Sequence, residues 1–243
     1  MAENLLLASL RSELRRPLFN QLVPISLEKG QNLLGVDGPI RDVYFPTGGL
    51  VSIVGLTADG GMVELGAVAR EGCIGLTEDL AVASTPHQAT VCLAGAALRL
   101  DKHTLRGAME RDEVLRNTLL GHASRWSADL AQAIVCHRFH SVLQRLCRWL
   151  LTAADRTDLV ELEITHETLA HVLGVARPVL SRAALELHDA AAIRTRRGRV
   201  VLLDRPMLER SACECYDLTR HPATARAVGS QVDVGRVAKG TFW

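Results

Sequence analysis

The sequence predicts an α+β chain, with strands in its first half and helices in its second, and three observations predict it. Between residues 22 and 100, glycines recur at Gly30, Gly38, Gly48–Gly49, Gly60–Gly61, Gly72 and Gly95 with β-rich runs between them, the punctuation of an all-β unit with turns about every 8–12 residues. From Asp112 glycine becomes scarce and apolar residues recur at three- and four-residue steps, the period of an amphipathic helix. Between Glu163 and Leu187 two short helical patterns flank a single glycine, and a basic hairpin pattern follows. That order is a helix-turn-helix with an added β-ribbon.

Composition bounds the rest. The chain has 243 residues, 48% hydrophobic and 23% charged, enough for a buried core and far from the composition of a disordered chain. The best membrane candidate, Leu50 to Val68, is interrupted by Asp59 and Glu64, and Leu5–Leu6–Leu7 follows Glu3 instead of a basic segment, so neither a span nor a secretory signal is expected. A cytoplasmic protein with no membrane partner is expected. Six cysteines, at positions 73, 92, 136, 147, 213 and 215, include no CxxC pair, and reduced thiols are the expectation. The net charge of +1 hides an asymmetry. Residues 1–115 hold ten basic and fourteen acidic side chains, whereas four of the six residues from 194 to 199 are arginine, which points to a polyanion partner on the C-terminal half.

In chain order, Leu50–Leu56 and Met62–Val68 read as a hairpin through Asp59–Gly60–Gly61, with Val43–Phe45, Ala89–Leu93 and Ala97–Leu100 as further short strands. Residues 1–111 form this first domain. Residues 112–140 read as one long helix whose stripe is Leu115, Leu119, His122, Trp126, Leu130, Ala133 and His137. A helix of this length between two domains suits a subunit seam, so a homodimer held along Asp112–His137 is expected, with Leu119 and Trp126 as its largest anchors. A second helix runs from Ser141 to about Ala154, then a polar break from Asp155 to Asp158. Asp155, Asp158, Glu161 and Glu163 read as a solvated acidic turn. Residues 141–212 make the second domain, and 213–243 a tail.

The helix-turn-helix rests on several matched positions. Thr165 suits an N-cap with Glu167 in the first turn, and Gly174 suits the C-terminal stop. Pro178 fits only a first turn, placing a new helix start at Arg177–Pro178. Ala170 is small where the helices cross, and Leu169, Leu173, Val175 and Leu180 supply the shared core. Arg177, Ser181 and Arg182 fall on the open face of the second helix, where arginine can pair with guanine edges or phosphate and serine with either. Ala192–Thr195 and Arg199–Leu203 read as two strands joined by Arg196–Arg197–Gly198. The candidate DNA contacts are therefore Thr165, His166, Arg177, Ser181, Arg182, Arg196, Arg197 and Arg199. An αα-hairpin without a ligand, or a β-domain serving as a non-DNA interaction module, is the rival reading, and the basic hairpin argues against both. An enzyme is not indicated: the chain has no Gly-rich phosphate loop, HExxH or GxSxG. Cys213–Glu214–Cys215 could ligate a metal or form a disulfide, but a metal wants three or four ligands and His221 is the one nearby candidate, so no metal and no cofactor is expected.

On these motifs the chain resembles the Crp/Fnr family of bacterial transcription regulators, most specifically over Leu162–Leu203 and also at Val43–Gly49, Arg70–Gly75 and Pro86–Val91. The resemblance implies an N-terminal double-stranded β-roll of the cyclic-nucleotide-binding kind, a long dimerisation helix and a C-terminal winged helix. It implies double-stranded DNA, a second copy of the chain and RNA polymerase as partners, with a small-molecule effector possible. Arg177 and Arg182 fall on basic positions the family uses for DNA contact, while Pro178 replaces a residue, often glutamate, that reads a base in some members. Nucleotide-binding members carry a Gly-Glu pair for the ribose and an Arg-Ser or Arg-Thr pair for the cyclic phosphate. The matching positions here are Gly75–Leu76 and His87–Gln88, followed by Ala89. Leucine accepts no hydrogen bond and histidine poorly replaces a bidentate guanidinium, so a degenerate pocket is expected. Residues 1–30 hold no cysteine for an iron–sulfur cluster; His87, His103 and His122 are free to be recruited by a haem, but a lone histidine is more often simply satisfied or exposed, and no haem is expected.

Overall fold

The computed structural model describes residues 3–10, 18–76 and 85–219. A short helix α1 (Leu5–Ala8) precedes strands β1 (Val23–Leu27), β2 (Asn32–Leu34), β3 (Asp42–Leu56), β4 (Met62–Val68) and β5 (Gln88–Asp101). Helices α2 (Lys102–Arg111), α3 (Glu113–Phe139) and α4 (Val142–Thr157) follow, then β6 (Glu161–Leu162), α5 (His166–Leu173), α6 (Arg177–Asp189), β7 (Ile193–Arg196), β8 (Arg199–Leu202), α7 (Arg205–Ser211) and α8 (Cys215–Thr219). Among the described residues no helix is long and apolar enough to cross a membrane.

The N-terminal sheet is antiparallel in the order β1-β5-β3-β4, with β2 also on β5. The hairpin of β3 and β4 is as expected. Val43–Phe45 is not a separate strand, however, nor are Ala89–Leu93 and Ala97–Leu100 two: each belongs to one long strand, β3 or β5. Register shifts between Pro46 and Val51 bend the pair, and extra residues of this kind let a long ribbon curl. Gly95 permits the bend, since a Cβ there would lie 2.3 Å from the Gly48 carbonyl carbon. On either side of it β3 serves different cores: Val43 and Phe45 join α1, α2 and α3, while Val51 and Ile53 pack with Leu27, Leu34 and Ile40. Leu5–Leu7, too short for a signal, is a helix seated against the sheet. Buried Asn4 accepts from Leu7 N at 2.9 Å and donates to the carbonyls of Pro46 and Gly72, each at 2.8 Å.

Helix α3 corrects one expectation. Leu115 and Leu119 are buried in their own chain's core beside Leu6, Leu7 and Leu105, and His122 is buried under Gly72, where a Cβ would lie 2.6 Å from its Cε1. Trp126 sits likewise against Gly66, whose Cβ would lie 2.6 Å from Cη2. Leu130 and Ala133 are also turned inward, half-buried and buried. The stripe read as a subunit seam therefore packs onto the β-domain. A second row, of small and apolar residues, lies on the opposite side: Leu120, Ser124, Ser127, Ala131 and Ile134 are exposed at three- and four-residue steps, Ile134 at 72%.

The C-terminal half buries Leu146, Leu150, Leu162, Leu173, Leu180 and Ile193 in one core that also takes in Leu50, Ala67 and Leu93 of the sheet. Helix α4 starts with a capping box, Ser141 with Gln144, and runs to Thr157, three residues past the expected end. Asp155 thus lies on a helix instead of in a polar break. The acidic turn is not simply solvated. Asp155 accepts from Arg205 at 2.6 Å and Tyr216 at 2.8 Å, Asp158 pairs with Arg70 at 2.5 Å, and Glu161 and Glu163 both hold Arg199. Residues 213–219, expected to begin a tail, pack against the fold. Cys213, Cys215 and Tyr216 are buried, and Cys213 and Cys215 lie against Cys136 and His140 of the distant α3 terminus. The other partner considered for them, His221, and the tail from residue 220 lie outside the described residues.

Candidate nucleic-acid interface

Thr165 caps α5 by accepting from Thr168 N at 3.0 Å. Gly174 ends the helix at φ 59°, a left-handed conformation that glycine adopts without strain. A Cβ there would also meet Val63 Cγ2 at 3.0 Å, so the turn is pressed onto β4. The chain then enters α6 at Arg177 with Pro178 in its first turn. Leu180, Ala183, Ala184 and Leu187 face the core. This leaves Arg177, Pro178, Arg182 and Leu185 exposed and Ser181 half-buried. Ser181 Oγ is 3.4 Å from His166 Nδ1, tying the second helix to the start of the first. Burial, then the charge of Arg177, lowers the His166 pKa, which favours the neutral ring.

The β-ribbon pairs Arg196 with Arg199 across a two-residue turn, Arg197–Gly198, with Gly198 at φ 74°. This is the tight hairpin expected, one residue shorter in its loop. Arg194, Arg196 and Arg197 are exposed and make no ion pair among the described residues. Arg199 differs. Its guanidinium donates to Glu161 at 2.7 Å and Glu163 at 2.5 Å, and these hydrogen bonds raise its pKa. The two carboxylates more than neutralise Arg199, so it braces β8 against β6 and is not an open cation.

The residues of the expected pocket are less gathered. Gly75 adopts φ 90° and its Cβ would lie 2.7 Å from the Asp42 carbonyl. Leu76 is buried with Val43, Leu105 and Met109, and Ala89 is buried in another cluster. Gln88 Nε2 donates to Asn32 at 2.7 Å and Thr90 at 2.9 Å. His87 Nδ1 is buried with no hydrogen-bond partner.

One junction escaped sequence reasoning. Glu64, on β4, is buried and accepts from Ser52 Oγ at 2.5 Å and from Trp149 Nε1 of α4 at 3.0 Å. Burial pushes its pKa up, against the pull of Ser52 and Arg148. Arg156 reaches the Ala67 carbonyl and Glu71, and Lys29 Nζ donates to the Glu163 carbonyl at 2.5 Å. These contacts seat the helix-turn-helix on the sheet. The available signal was a carboxylate inside an otherwise apolar strand.

Residues 144–211, which span α4 through α7, match the model of the Crp-like helix-turn-helix domain. This part of the chain is thus a Crp-like helix-turn-helix domain. Solved structures of Crp/Fnr-type regulators share the fold over 77–79% of this chain. FixK2 from Bradyrhizobium japonicum is 18% identical with a TM-score of 0.68, covering 79% of this chain and 98% of its own. A CRP-family regulator from Thermus thermophilus is 22% identical at TM-score 0.65, covering 77% and 96%. The c-di-GMP-responsive global regulator CLP from Xanthomonas campestris is 14% identical at TM-score 0.65, covering 79% and 99%. No curated protein sequence matches this chain. Its helix-turn-helix is of the Crp-like, DNA-binding kind.

Proposed function

We propose that this regulator binds a pseudo-palindromic operator as a homodimer, inserting α6 into the major groove. The observation that carries this reading is the exposed Arg177 and Arg182, with half-buried Ser181 between them, on a helix whose opposite side is locked in the core. Arg182, one turn into α6, suits a base edge, whereas Arg177 at its start and Arg196 and Arg197 at the ribbon tip suit phosphate. Thr165 and His166 at the start of α5 suit the flanking backbone. Arg199 contributes by shaping the ribbon. The dimer forms along the outward row of α3 from Leu120 to Ile134, placing the two recognition helices about 34–36 Å apart. RNA polymerase is the protein partner such a regulator would meet at a promoter. Selection from random duplexes tests the reading: recovered sequences should show two inverted half-sites about 10 base pairs apart. A lone half-site, or no enrichment, would contradict it.

For the β-domain we propose that cyclic nucleotides are not held in the family's usual way. Leu76 points into the core with α2, and neither Gln88 nor Ala89 offers a cation for a cyclic phosphate. A buried phosphate without a charged partner is strongly disfavoured. Calorimetric titration with cyclic AMP and cyclic GMP should give no saturable micromolar binding at pH 7.5. Binding at that pH together with tighter operator affinity would overturn this reading. A nucleotide held by protonated His87 would instead show as binding that strengthens below pH about 6.5.

A further inference from the structure

Three of the six cysteines and one histidine, none of them used in DNA recognition, meet at one point. Cys136 lies in the last turn of α3 and His140 is that helix's C-cap four residues later, so both project from one side of the helix end. The chain then runs through the whole helix-turn-helix and α7 before Cys213 and Cys215 return beside them. Cys136 Sγ is 3.6 Å from Cys213 Sγ, and Cys215 Sγ is 3.5 Å from His140 Nδ1. All four ligand atoms lie within 4.8 Å of one another, and the three cysteines are buried.

We propose that Cys136, His140, Cys213 and Cys215 form a tetrahedral site for one zinc ion, which clamps the segment after the winged helix to the end of the long helix. The spacing carries the argument. With Zn–S bonds of about 2.3 Å and Zn–N bonds of about 2.0–2.1 Å, a tetrahedron has edges of about 3.8 Å between sulfurs and about 3.5 Å between sulfur and nitrogen. The Cys136–Cys213 and Cys215–His140 edges, 3.6 and 3.5 Å, agree with this. A polynuclear iron–sulfur cluster attaches its thiolates to separate irons and spreads them wider. Three soft thiolates with one imidazole select zinc over magnesium or calcium.

The surroundings suit a metal as well. His140 Nε2 donates to Glu214 Oε1 at 3.2 Å, which leaves Nδ1, the nitrogen nearest Cys215, to face the ion. This is the carboxylate–histidine–metal arrangement that fixes a ligand's tautomer. Gln132 Nε2 donates to Cys215 Sγ at 3.0 Å. Three thiolates on a divalent ion leave one net negative charge, and Arg148 is close enough to act on both Cys136 and Cys213. The site also adjoins the junction between α3 and α4. His137, next to Cys136, meets Arg145 Nη1 at 2.8 Å, and the same nitrogen donates to the Leu173 carbonyl at the end of α5, 2.9 Å away. A loaded site therefore fixes the α3 terminus against the DNA-binding domain.

The test uses the full chain, purified under reductant and given zinc or cobalt(II) chloride. Metal analysis should find about one zinc per chain, and cobalt should give the intense visible bands of a tetrahedral thiolate site. Bound zinc should protect Cys136, Cys213 and Cys215 from alkylation in the native protein, mapped by mass spectrometry. His140→Gln and Cys215→Ser should lose most of the metal, while Cys92→Ala should keep it. The alkylation map and the cobalt spectrum need no variant, so a variant that fails to fold leaves the proposal testable. Absence of stoichiometric metal and of cobalt–thiolate bands in the wild-type chain would overturn it. So would a Cys136–Cys213 disulfide in the reduced preparation, or equal metal content in the ligand variants.

Discussion

Substituting Gly66 by alanine tests whether the stripe of α3 packs on its own β-domain. A Cβ at Gly66 would lie 2.6 Å from Cη2 and 3.0 Å from Cζ3 of Trp126, about 1 Å inside the 3.5–4.0 Å of ordinary carbon contact. The indole is also packed against the cluster of Val51, Ile53 and Val68, which restricts how far it can yield. Overpacking of this kind costs about 1–3 kcal/mol, and at about 2–4 °C per kcal/mol for a chain of this size Tm should fall by about 2–12 °C. Trp126→Phe removes the clashing edge, so the double variant should be more stable than the two single effects added together predict, by about 0.5–3 kcal/mol. Thermal unfolding of the four proteins at equal concentration supplies the cycle. A neutral Gly66→Ala, or strict additivity with Trp126→Phe, would refute the packing described.

The two sides of α3 should separate: Leu119→Ala should cost about 2–5 kcal/mol of stability, whereas Ile134→Glu should leave the fold intact and shift sedimentation from dimer to monomer. Glu161→Gln combined with Glu163→Gln should release Arg199 for phosphate, strengthening non-specific DNA binding and steepening the salt dependence by about 0.9 per freed cation. Acid should destabilise the fold through His122, whose pKa is lowered by burial and then by Arg125. Below the ordinary histidine value of about 6.5 the unfolded chain binds the proton first, so this stability is lost as pH falls from there through the folded value. Buried Glu64, with its raised pKa, acts in the opposite sense above about 4.5. The difference between wild type and His122→Gln isolates the histidine term, and the variant's denaturant midpoint should fall less between pH 7 and 5.5.

The parts legible in the sequence were those fixed by local chemistry. The cap at Thr165, the left-handed turn at Gly174, the proline start of α6 and the glycine of the ribbon each specify backbone within a few residues. What stayed hidden was long-range pairing. Apolar periodicity marked α3 as a helix but could not say which of its two rows meets the sheet, because that depends on Gly66 and Gly72 opposite. Likewise the partners of Arg199 lie 36 and 38 residues away, and those of Cys213 and Cys215 are more than seventy residues upstream. Counting neighbours in sequence therefore left an acidic loop and an idle cysteine pair where the fold makes a braced ribbon and a four-ligand cluster.

The central claim is that α6 reads bases while the ribbon tip holds phosphate. Equilibrium binding of wild type, Arg182→Ala and Arg197→Ala to the selected operator and to scrambled duplexes, over a series of salt concentrations, tests it most directly. Arg182→Ala should weaken operator binding by about 1–3 kcal/mol and relax preference at one base pair per half-site. Arg197→Ala should weaken all sequences alike and reduce the salt slope by about one phosphate contact per subunit. Uniform loss across all sequences in both variants would contradict the assignment of base readout to Arg182.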